Sequence, residues 1–66
     1  MKLCERLKEL RKEKGLSQME LAKLTGLSQS SIGRWELGRT EPTASDLIKL
    51  ADFFGESVEY LLGLTD

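Results

Sequence analysis

The sequence predicts an all-α protein, a compact domain of five short helices. Three observations carry that expectation. Apolar residues recur at spacings of three and four along most of the 66 residues, the period of one helix face. No segment alternates apolar and polar residues with period two, the pattern of a half-buried strand. Serine or threonine precedes four of the five segments and glycine follows all five, which are residues that start and stop helices.

The first helix is expected from about Lys2 to Lys14, with Leu3, Leu7 and Leu10 on one face. The mixed Glu, Lys and Arg residues of this segment read as a solvated face. Gly15 ends it, because glycine takes the left-handed conformation cheaply. Ser17 then caps a second helix, with Glu20 three residues on completing a capping box. That helix stops near Thr25, before Gly26. The third begins after Ser28, turns Ile32 and Trp35 inward, and ends at Gly38. A loop, Arg39-Thr40-Glu41-Pro42, leads to a fourth helix capped by Thr43 with Asp46 at the third position. Leu47, Leu50, Ala51 and Phe54 form its inward stripe, and Gly55 stops it. Ser57 opens a last short helix, Val58 to Leu62.

Composition narrows the function. One cysteine and no histidine rule out an internal disulfide and a Cys/His zinc site, and remove the commonest acid–base group. No nucleophile–base pair is visible, and no cofactor or small-molecule ligand is implied, so an enzyme is not expected. Cys4 reads as a small, partly buried side chain and Trp35 as core. No apolar run approaches the roughly 20 residues of a membrane span. The charged start, MKLCERLKEL, does not resemble a signal peptide; a cytoplasmic location is expected.

The net charge of −1 conceals an asymmetry. Residues 1–39 carry nine Lys/Arg against five Asp/Glu, whereas residues 40–66 carry one Lys against six Asp/Glu. A basic half beside an acidic half can present one face to phosphate.

The segment Gln18 to Leu37, QMELAKLTGLSQSSIGRWEL, is the most informative. Leu21, Ala22, Leu27, Ile32 and Trp35 take inward positions, and Gly26 sits where the chain must bend. Two short helices joined by a tight turn resemble the helix-turn-helix of Cro and phage-repressor type regulators. The resemblance covers about residues 3 to 63. It is carried by Gly15-Leu16-Ser17-Gln18, Leu21-Ala22, Gly26, Gly38-Arg39, Pro42 and Leu61-Leu62-Gly63. It implies one five-helix domain of the phage-repressor DNA-binding type, residues 1–66, whose second and third helices read double-stranded DNA. The chain departs from the family's pattern at Gly33 and Leu37, where longer polar side chains are common.

Successive helical residues turn by 100°, so Ser30, Gly33 and Arg34 lie opposite Ile32 and Trp35, with Gln29 in the first turn. Gln pairs with adenine edges, Arg with guanine, and Ser with several. The resemblance places the same four residues on the base-facing side, with Ser28, the cap, beside them. It also assigns Gln18 a backbone contact at the positive end of the second helix. Arg39 and Thr40 are candidate phosphate contacts in the following loop. Arg11 and Glu36 are implied to form an ion pair tying the first helix to the third.

The tail Val58-Glu59-Tyr60-Leu61-Leu62-Gly63-Leu64 is apolar for a terminal segment, and not all of its large residues can face inward. Tyr60, Leu61 and Leu64 are therefore expected at a homodimer interface. The function expected first is a sequence-specific transcriptional regulator, a repressor reading the major groove with residues 29–37 and paired on a palindromic operator, in one mode only once on DNA. The alternative is an antitoxin or other interaction module using the same fold to hold a partner protein.

Overall fold

The computed structural model describes residues 2–66; Met1, counted within the expected domain, lies outside the described residues. Five helices follow in order: α1 (Leu3–Glu13), α2 (Gln18–Thr25), α3 (Gln29–Glu36), α4 (Ala44–Phe54) and α5 (Val58–Leu61). No strand occurs among the described residues. This is the all-α, five-helix architecture that the sequence predicts.

The starts are made by the residues that the capping chemistry requires. Ser17 Oγ accepts the Glu20 amide at 3.0 Å while Glu20 Oε1 accepts the Ser17 amide at 2.8 Å. Thr43 and Asp46 repeat this box at α4. Ser28 and Ser57 each accept the amide three residues on. Gly26, at φ 76°, makes the bend between α2 and α3 with a conformation that L-residues rarely adopt.

Each helix sends one fully buried side chain to a common centre: Leu7, Leu21, Ile32, Leu50 and Leu61. Leu10, Ala22, Trp35, Ala51 and Phe54 close around them. The α1 helix packs against α3 and α5, α2 against α3 and α4, and α4 against α5. The Cα radius of gyration of 10.4 Å matches the roughly 11 Å of a well-packed chain this long.

Four details differ from the sequence-based expectation. The first helix is one residue shorter at each end, and α5 ends at Leu61 with Leu62 as its cap. Leu47 is only half-buried, at the edge of the α4 stripe. Arg6, expected on a solvated face, is 7% exposed. Leu61, expected at a dimer interface, is completely buried. It lies three residues after Val58, so both face the core from a helix of a single turn.

Candidate nucleic-acid interface

The third helix and its flanks present a largely polar outer surface. Gln29, Ser30 and Arg34 of α3 are exposed, as are Ser28 at its cap and Arg39 and Thr40 in the loop beyond. The opposite side of α3 is buried through Ile32, Trp35 and Glu36. Ser28 Oγ lies 3.0 Å from Ser30 Oγ, and Arg34 Nη2 donates to Ser31 Oγ at 3.3 Å. These short-range bonds leave the guanidinium of Arg34 on the surface, with four of its five donors free for a partner.

The support is an ion pair with further partners. Arg11 Nε donates to Glu36 Oε2 at 2.7 Å, and Arg11 Nη2 to Glu36 Oε1 at 2.8 Å. The remaining arm, Nη1, donates to the Leu16 carbonyl at 2.8 Å. One guanidinium therefore ties α1 to the end of α3 and to the turn before α2. The side chains are 11% and 2% exposed, so water competes little for the pair. Burial pushes the Glu36 carboxyl up, but hydrogen bonds from Arg11 and Gln18 and the Arg11 charge outweigh it and hold the group below its ordinary value. The Glu36 hydrogen bond raises Arg11 further above its already high value.

Gln18 and Gly33 are less outward than the helical wheel predicts. The Gln18 side chain turns in, its Nε2 donating to Glu36 Oε1 at 3.1 Å. A carboxylate only accepts, so the amide must face it with nitrogen. The Gln18 Oε1 then lies where a Cβ on Gly33 would stand 3.4 Å away. Gly33 is half-buried under this amide, which a Cβ there would just touch.

A helix-turn-helix family model, HTH_3, matches residues 7–61. The chain belongs to this helix-turn-helix family. It is 41% identical over 63 residues to the uncharacterized HTH-type transcriptional regulator YobD of Bacillus subtilis strain 168, covering 96% of this chain and 56% of that protein. It is 44% identical over 62 residues to the HTH-type transcriptional regulator DdrOP3 of Deinococcus deserti, covering 94% and 48%. The chain spans about half the length of the curated relatives it matches. Among solved structures, the P22 c2 repressor in complex with a synthetic operator superimposes with a TM-score of 0.88 at 34% identity, over 94% of both chains.

At the far end of this helix-turn-helix domain, the tail is held by Arg6. Its Nη1 donates to the carbonyls of Tyr60 at 2.6 Å and Thr65 at 2.5 Å. Its guanidinium carbon sits 4.0 Å from the centre of the Tyr60 ring, a cation–π stack. Tyr60 is thus half-buried beneath an arginine. The apolar groups left on the surface here are Leu64, 73% exposed, and Leu62, 37% exposed. The signal for Arg6 was present in the sequence: it lies three residues after Leu3 and four before Leu10, at the margin of the apolar stripe. Leu37, a departure from the family's pattern in the sequence, is 68% exposed at the end of α3. No described helix is long and apolar enough to cross a membrane.

Proposed function

We propose that the chain is the DNA-binding domain of a transcriptional regulator acting in the cytoplasm, a repressor that sets α3 into the major groove of double-stranded DNA. One observation carries this reading. Exposed Gln29, Ser30 and Arg34 project from a helix whose other side is buried and whose end is pinned by Arg11 and Glu36. A polar face that cannot roll or slide suits hydrogen bonding to base edges. Arg39 and Thr40, and the first amides of α2, supply sequence-independent phosphate contacts. The likeness to the P22 c2 repressor, whose solved structure contains an operator, supports the same reading.

One helix of eight residues reads few bases, so a homodimer on a palindromic operator follows. Leu62 and Leu64 are the apolar groups available for pairing. A contact so small favours pairing on the operator over pairing in solution. Selection of bound duplexes from a random pool tests the proposal. An enriched palindrome with half-sites about 34 Å apart is the expected result. A pool that stays random after repeated rounds would overturn it.

A further inference from the structure

We propose that Leu37 is a specificity-determining residue that packs on the 5-methyl group of a pyrimidine in the major groove, thymine being its source in unmodified DNA. The inference rests on the DNA-reading role proposed for α3.

A single exposed leucine is ordinary on a protein surface; the position of this one is not. At 100° per residue, Ser30, Arg34 and Leu37 fall within about 60° of one another, on the side away from Ile32 and Trp35. They form one stripe at i, i+4 and i+7. Met19, Leu24 and Ile48, the exposed apolar residues of α2 and α4, belong to other helices. Seven residues of helix rise about 10 Å, close to three base-pair steps of roughly 3.4 Å. The stripe thus offers a hydroxyl, a guanidinium and an isobutyl group to successive positions along the groove.

Shape favours contact at the third position. A helical side chain leans towards the helix N-terminus, which sets Leu37 over the turn that begins at Gly33. Gly33 adds no side chain to that turn, and the Gln18 amide lies 3.4 Å from where its Cβ would stand. The groove edge offers one kind of apolar group, the methyl on C5 of a pyrimidine. Against the polar edge of a guanine or an unmethylated cytosine, Leu37 would cover donors and acceptors without replacing their bonds with water.

The test uses the full chain and an operator selected from a random pool. Each thymine of a half-site is replaced in turn by uracil, and affinity is measured for the unmodified protein and for Leu37→Ala. One thymine per half-site should weaken binding roughly four-fold when its methyl is removed, the worth of one buried methyl-sized group. Leu37→Ala should bind the thymine and uracil duplexes alike at that position. A second arm replaces the half-site cytosines by 5-methylcytosine; a gain that Leu37→Ala abolishes, without any uracil effect, identifies that base as the source of the methyl. Indifference of the unmodified protein to every pyrimidine methyl overturns the proposal, and so does unchanged methyl sensitivity in Leu37→Ala. The Leu37→Ala melting temperature should stay near that of the parent, because the side chain is 68% exposed. Arg34→Ala on the same duplexes separates the two inferences. If it relaxes base preference while methyls have no effect, Leu37 alone is wrongly assigned. If neither substitution alters binding, the reading role of α3 falls and that of Leu37 with it.

Discussion

Two arginines of α1, five residues apart, are both covered by the fold and are answered in opposite ways. Arg11 meets a carboxylate, Glu36, in a two-bonded ion pair. Arg6 meets two carbonyls and an aromatic face, with its Nε buried and unbonded and the nearest carboxylate oxygen, on exposed Asp66, 3.8 Å away. The first cluster neutralises its charge and holds α3. The second has only an exposed carboxylate at 3.8 Å and holds the tail. Five residues turn a helix by about 140°, so one helix serves as a strut between the surface proposed to read DNA and the surface proposed to pair.

Of the two arginine clusters, the larger effect should come from breaking the ion pair. Glu36→Ala leaves a desolvated guanidinium and should cost about 3–5 kcal/mol at full burial, a large part of the stability of a small domain. Urea unfolding of Glu36→Ala, Arg11→Ala and the double variant measures the coupling. A coupling near zero would reduce both residues to solvated charges. Acid should act on this cluster. The folded-state pKa of Glu36 lies below its unfolded value. The stabilisation is therefore whole above the ordinary value of about 4.3 and is lost as pH falls through the folded value. Glu36→Gln should flatten that part of the pH dependence, and an unchanged profile would contradict it.

Removing Arg6 should cost less, about 1.5–3 kcal/mol for hydrogen bonds made by a charged donor. Arg6→Met keeps much of the apolar contact and isolates that loss. It should free the tail and weaken pairing on a palindrome, while base preference in a single half-site stays as it was. A change of base preference would show that the two ends of α1 are not independent.

The exposed arginines should show the reverse behaviour, with stability changed by no more than about 0.5 kcal/mol. Arg34→Ala should relax preference at one base pair at a cost of about 1–3 kcal/mol, whereas Arg39→Ala should weaken all sequences alike and lower the salt slope by about 1. Binding that is flat between about 50 and 200 mM salt would exclude the proposed phosphate contacts. The smallest effect on folding should be that of Leu64→Glu, at a side chain 73% exposed. It should leave the melting temperature in place and reduce pairing on the operator, as seen by sedimentation. Leu61→Glu should instead unfold the domain, because that side chain is fully buried.

Much of the candidate interface was legible because it depends on local rules. Ser17 and Glu20, Thr43 and Asp46, and Gly26 mark helix ends through bonds and dihedrals confined to a few neighbouring residues. The inward positions of Ile32 and Trp35, and hence the outward ones of Ser30 and Arg34, follow from a fixed angle per residue. Gln18 was harder. Its place at the start of α2 is a local matter, but the direction of its amide depends on Glu36, 18 residues away, and on the space at Gly33.

The sequence by itself determined the five helices, their caps, the bend at Gly26 and the polar face of α3, since each is decided within a turn or two of chain. Only the tertiary structure decided the fate of Arg6 and of the tail. Arg6 is buried because residues 54 and 59 positions further along lay their carbonyls over it. Leu61, rather than Leu62 or Leu64, enters the core because α4 and α1 meet α5 on that side. An apolar residue or an arginine at a helix margin carries no mark of which distant segment will cover it. The covering is a property of how helices pack, and no spacing along the chain encodes it.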